Sequence, residues 1–129
     1  MLDTNIIADL IRNPQGRAAK RITKVGEDKI CTSVVVAADL RYGCAKSGPK
    51  RLIKAVEGLL GEIGVLPFDV PADTEYGAIR AELEAAGTPI GSNDLLIAAH
   101  ACATGATIVT ANAAEFKRVR GLKMENWLA

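Results

Sequence analysis

The chain has 129 residues, a formal net charge of +1 and 24% charged residues, which suits one folded domain and excludes a disordered segment or a strongly basic nucleic-acid coat protein. Any contact with nucleic acid is therefore expected to be local, and the few aromatics, Tyr42, Phe68, Tyr76, Phe116 and Trp127, leave little for a base-stacking platform. Cys31, Cys44 and Cys102 are widely spaced with no CxxC pair, and read as reduced, mostly structural thiols of a cytosolic protein.

Leu2-Asp3-Thr4-Asn5-Ile6-Ile7 brings an apolar run against an acid, a hydroxyl and an amide. If Met1 and Leu2 close a buried parallel strand, Asp3 projects from the carboxyl edge of the sheet, where open α/β folds place their ligands. Asp and Asn also favour such turns and helix N-caps for backbone reasons alone. Asn5 to Ile11 reads as a short helix with Ile6, Ile7, Leu10 and Ile11 on its apolar side, stopped by Asn13-Pro14. A second helix is expected from the Asn13 cap and Pro14 to Gly26. Its cations, Arg17, Lys20, Arg21 and Lys24, suit either phosphate or a solvated face.

Lys29 to Thr32 reads as a buried strand, with Ser33 capping a helix from Val34 to Ala45. That helix opens on three valines, so burial rather than propensity must hold it. Asp39 falls among Ala37, Ala38 and Leu40, where a carboxylate costs solvation free energy unless donors or a cation meet it. Gly48-Pro49 opens a further helix through Leu60, and Val65 to Phe68 is a candidate edge strand because Pro67 cannot serve a central one. Ala72 to Ala86 is amphipathic, with Tyr76, Ile79 and Leu83 in register, and Gly87 stops it.

Pro89 to Asp94 reads as a turn into a helix from Leu95 to Ala103 that has almost no polar face and is therefore buried. Asp94 stands at its mouth, where the helix dipole alone favours an acid by ~0.3 to 1 kcal/mol. His100, six residues on, lies about 240° around the helix at ~100° per residue and reads as a core or second-layer histidine. Ala106 to Thr110 is the clearest strand, Glu115 and Phe116 follow it in a short turn or helix, and Lys123 to Trp127 suits a last edge strand. Strands alternating with helices give an α/β fold, one domain over residues 1–129, with a central parallel sheet flanked by helices on both faces. No apolar run approaches the ~18 residues of a membrane span, and Asp3 and Asp9 stand where a signal peptide carries positive charge. A cytoplasmic protein without membrane contact is expected.

Asp3, Asp39 and Asp94 thus arise at element junctions or in apolar settings, and Asn112 and Glu115 follow another strand end. Close carboxylates raise one another's pKa unless a cation sits between them, and Mg²⁺ or Mn²⁺ is the simplest such cation. One histidine and scattered cysteines disfavour zinc. A hard divalent ion lowers the pKa of bound water and supports in-line attack on phosphorus, so phosphodiester hydrolysis is the natural reaction.

Five segments carry a family resemblance: Leu2-Asp3-Thr4-Asn5, Ala38-Asp39-Leu40-Arg41-Tyr42-Gly43, Ile90 through Ala98, Val109-Thr110-Ala111-Asn112 with Glu115-Phe116, and Glu125-Asn126-Trp127. In that order and over nearly the whole chain, they resemble the PIN-domain ribonuclease toxins of the VapC type. The resemblance implies a PIN fold, a Mg²⁺- or Mn²⁺-dependent endoribonuclease acting on structured RNA such as tRNA or rRNA, a VapB-like antitoxin and a homodimer. It makes Asp3 and Asp94 metal-binding acids, with Thr4, Asn5 and Thr110 holding the acids or a metal-bound water. Two departures stand out. Asp39 replaces the usual glutamate, one methylene shorter, so direct metal contact can give way to a water-mediated one. Asn112 replaces a fourth acid of some relatives, leaving Glu115 to complete the site. Relatives also often carry a few residues ahead of the first motif, which implies a strand that starts before Met1.

Arg12, Arg41 and Arg118 are candidate phosphate contacts as well as candidate structural cations. Ile7, Leu10, Ile11 and Ile22 suit either an antitoxin groove or the core. Three other readings compete. A response-regulator acceptor domain needs a lysine at the late strand end, where Thr110-Ala111-Asn112 has none. A phosphatase with an Asp-x-Asp nucleophile finds Asn5 in place of its second acid. A catalytically weakened PIN domain, binding RNA or antitoxin, is the serious alternative.

Overall fold

The computed structural model describes residues 1–129. Its elements alternate as expected: α1 (Thr4–Arg12), α2 (Arg17–Val25), β1 (Cys31–Ser33), α3 (Val34–Ser47), α4 (Lys50–Glu62), β2 (Gly64–Leu66), α5 (Ala72–Ala85), α6 (Ser92–Thr104), β3 (Ile108–Val109), α7 (Ala113–Phe116) and β4 (Met124–Glu125), with a single 3-10 turn at Glu27–Lys29. β1 pairs with β2 and β3 with β4, both in parallel. Leu2 joins the two pairs by bridging to Thr32 on one side and Val109 on the other. Its N–H donates to the Cys31 carbonyl at 2.8 Å, and the next N–H, of Asp3, donates to Val109 at 2.9 Å. The first residues are therefore the middle of the sheet, and the acid after Leu2 emerges at its centre.

The strands are short because ladder partners run out at both ends. Pro67 has no N–H to extend β2, which lies at one edge as expected. β4 forms the other edge and stops where the Asn126 side chain accepts from the Leu128 N–H at 2.9 Å, a local turn that competes with the ladder. Both edges are thus shorter than the alternation suggests.

Three boundaries differ from expectation. Asn13 does not cap α2. Its backbone N–H closes α1 on Asp9, its amide bonds the Asp9 carboxylate at 2.9 Å, and α2 starts only after Gly16. The segment from Lys29 is a 3-10 turn before it is a strand, so β1 is displaced toward Ser33. The turn before Asp94 is shorter than expected, since α6 already begins at Ser92.

The main core holds Leu2, Ile6, Ile7, Ile97, Ile108 and Phe116, all but fully buried, so the sheet centre, α1 and α6 close on one another. Burying each such side chain contributes roughly 1.5–3 kcal/mol. Ala37, Cys44, Val56 and Leu60 form a second, smaller cluster between α3 and α4. Ser33 Oγ accepts from the Val35 N–H at 3.1 Å, which caps the valine-rich start of α3 as expected. Cys31, Cys44 and Cys102 are free thiols, and no helix is long and apolar enough to cross a membrane.

Candidate active site

Asp3 is the N-cap of α1 and only 3% exposed. Three donors hold its carboxylate: the Thr4 N–H at 2.8 Å on Oδ1, and on Oδ2 the Thr110 hydroxyl at 2.8 Å and the Asn5 amide at 3.3 Å. Asn5 also accepts from the Ala111 N–H at 2.9 Å, and Thr110 Oγ1 from the Asn112 N–H at 2.9 Å. The expected supporting set of Thr4, Asn5, Thr110 and Asn112 thus ties the start of the chain to the residues after β3. A buried ionised group without such donors would cost several kcal/mol.

Asp39 reaches the same corner from α3 and Asp94 from the first turn of α6. Burial is the largest cause raising the Asp39 pKa and the negative charge of Asp3 the next, while the Asn93 amide, 2.6 Å from Oδ1, and the Thr4 hydroxyl oppose them. The Asp94 carboxyl is pushed up to about 7, first by burial, then by Glu115 and by Asp3. Asp3 therefore acts electrostatically on both of the other aspartates. Glu115, from α7, accepts from the Gly91 N–H at 2.6 Å and from the Asn112 amide at 2.5 Å. That backbone bond is the largest cause of its lowered pKa. The Asn112 amide also points at Asp94, at 3.4 Å.

Oxygen donors, the raised pKa values of Asp39 and Asp94 and a buried Thr4 hydroxyl without a well-formed hydrogen bond make a donor set that fits a hard divalent cation. As the side chains stand, no three acids enclose a common point as in a closed metal cage. Few carboxylates and several waters are the usual surroundings of Mg²⁺.

Asn93 joins this corner through its bond to Asp39, a role that its place in the Ile90–Ala98 segment does not reveal. It sits beside Asp94 in the chain, and its Asn-Asp pairing was the available signal.

The three arginines separate. Arg41 pairs with Glu57 at 2.9 Å, both exposed, and Arg118 donates to the Pro89 carbonyl at 3.0 Å beside Glu115. Those two serve structure as they stand. Arg12 carries no ion pair and lines, with Thr4, Ile11, Asp39, Leu40 and Val56, a cleft of ≈ 420 Å³ beside the acids. Ile7 and Leu10 belong to the core, and Leu10 also lines, with Ile22, a groove between α2 and α4. On α2, Arg21 is engaged by Glu125 at 3.2 Å and by the Trp127 ring.

Residues 1–122 match the model of the PIN domain family. The chain is 43% identical to the tRNA(fMet)-specific endonuclease VapC of Shigella flexneri over 128 residues, covering 98% of this chain and 96% of that one. It is 38% identical to ribonuclease VapC2 of Haemophilus influenzae over 129 residues, covering 99% and 97%. Among solved structures, VapBC2 from Rickettsia felis bound to a DNA fragment from its promoter superposes with a TM-score of 0.92 at 38% identity, covering 98% of this chain and 97% of that one. DNA-bound VapBC from Salmonella typhimurium gives the same TM-score and identity, with coverages of 98% and 96%.

Proposed function

Since this chain belongs to the PIN domain family, and within it to the VapC ribonuclease toxins, we propose that it is an endoribonuclease that uses Mg²⁺ or Mn²⁺ held by Asp3, Asp39 and Asp94 to hydrolyse structured RNA. The observation that carries this reading is the convergence of Asp3, Asp39 and Asp94 from three separate elements, with the pKa of Asp39 and of Asp94 raised by Asp3. Like charges gathered in this way are stabilised by a cation. When bound, the ion supplies Lewis-acid stabilisation of phosphate oxygens and a water of lowered pKa.

The protein's own residues do the rest. Thr110, Asn5 and the Thr4 N–H hold the Asp3 carboxylate in place. Asn112 spans Glu115 and Asp94, and Glu115 holds the backbone at Gly91 where α6 begins. Arg12 is the free cation at the cleft and the best placed of the three arginines to meet a phosphate.

The relatives solved as VapBC complexes support a small VapB-like antitoxin as partner. The tRNA(fMet)-specific Shigella relative supports structured RNA as the substrate class, and a homodimer and a cytoplasmic site of action accompany this reading. The experiment is incubation of the antitoxin-free protein with total RNA and Mg²⁺ or Mn²⁺, with and without EDTA. Discrete cleavage that EDTA abolishes is the expected result.

A second reading, a catalytically weakened PIN domain that binds RNA or antitoxin but cleaves poorly, is favoured by one observation: Asp39 is short and already engaged by Asn93. Absent or EDTA-resistant cleavage decides for it.

A further inference from the structure

His100 is buried in α6 at 1% exposure, yet it is more than core filling. Its Nδ1 lies 2.7 Å from Ser33 Oγ, while Nε2 is buried near the Pro67 carbonyl without a well-formed hydrogen bond. The ring meets Phe68 edge-on, with centroids 5.5 Å apart. An apolar side chain would fill this space without removing two ring nitrogens from water, so the Ser33 bond is the feature that a histidine adds. Ser33 ends β1 and caps α3, accepting from the Val35 N–H; with the imidazole proton on Nε2, the Ser33 hydroxyl donates to Nδ1.

A second tie joins the same two helices about two turns away, where the Asn93 amide meets Asp39 at 2.6 Å. Ser33 and Asp39 are six residues apart in the chain, and Asn93 and His100 seven apart. At ~1.5 Å per residue both spans come to about 10 Å. Matched ties in reversed chain order hold α3 and α6 side by side, running in opposite directions, and fix how far one can slide along the other.

We infer that His100 is a positioning residue: through Ser33 it sets the slide of α6 against α3, and with it the placement of Asp94 relative to Asp39 and Asp3. This rests on the reading that these aspartates form the active site. A slide of one residue moves Asp94 by ~1.5 Å, and an error near 1 Å is enough to cost roughly 100-fold in rate.

The test uses the full chain, free of antitoxin, with His100→Asn, His100→Gln and His100→Phe. An asparagine amide reaches the place of Nδ1, a glutamine amide reaches that of Nε2, and phenylalanine keeps the ring alone. We expect His100→Asn to cleave RNA within about threefold of the parent, and the other two to lose about tenfold or more in kcat with KM little changed. In metal-free protein, the side-chain amide proton resonances of Asn93 should move in the Gln and Phe variants and stay in place in the Asn variant. A Phe variant that cleaves like the parent, or an Asn variant as impaired as the Gln variant, overturns the inference. Should His100→Phe fail to fold, the Asn and Gln pair still decides. Asp94→Asn is assayed in parallel. Cleavage surviving in Asp94→Asn removes the active-site reading and this inference with it, whereas cleavage lost there but intact in His100→Phe removes only the role of His100.

Discussion

The Thr110 hydroxyl donates to Asp3 across 2.8 Å, joining residues 107 positions apart in the chain. Both side chains are buried, and the same hydroxyl oxygen accepts from the Asn112 N–H. Thr110→Val keeps the shape and removes the bond. Asp3 Oδ2 then keeps only the longer Asn5 bond and the Asn112 N–H loses its acceptor; an unpaired buried polar group costs roughly 1–3 kcal/mol, so urea denaturation should show a loss in that range, with cleavage reduced at the same time. A stability equal to that of the parent would show that the bond is not needed to hold Asp3.

Asp3→Asn and Asp94→Asn should each abolish RNA cleavage while leaving the circular dichroism spectrum unchanged. The loss should exceed the 10- to 100-fold typical of changes to residues that only support a metal ligand. Cleavage retained by either purified variant would reject the role given to that residue.

The stability of the metal-free protein should fall as pH rises from about 4 toward 7, because folded Asp94 keeps a proton that the unfolded chain has already released. Its folded pKa of about 7 stands above the ~3.9 of an unfolded aspartate, so the folded state binds more protons in this window and loses stability as they leave. The raised Asp39 contributes with the same sign. Glu115, with its lowered pKa, acts oppositely and lower down: its contribution is present above the unfolded pKa of ~4.3 and is lost as pH falls through the folded value. Thermal melts of Asp94→Asn against the parent should therefore differ more at pH 8 than at pH 5, with the variant the more stable at pH 8. A difference independent of pH would count against a raised pKa.

Asp39→Glu restores the methylene that the family usually has. A longer side chain should reach past the Asn93 amide that now holds Asp39 at 2.6 Å, and Mn²⁺ should bind several-fold more tightly by calorimetric titration. Superimposable titrations for the two proteins would show that this acid does not contact the ion.

Much of this molecule is written locally. The periodicity of Ile6, Ile7 and Leu10, the all-apolar α6, the Ser33 cap and the edge position imposed by Pro67 follow from propensity and pattern, which act over a few residues. The acids at strand ends and helix mouths were legible for the same reason, because a carboxylate at an element junction or in an apolar run stands out from its neighbours.

What the chain could not disclose alone is pairing across long separations. That Asp39 meets Asn93, that Arg41 and Arg118 are held by Glu57 and Pro89 while Arg12 stays free, and that His100 bonds the cap of α3 all depend on how helices dock. Docking is settled by the packing of side chains distant in sequence, and no run of neighbouring residues records it.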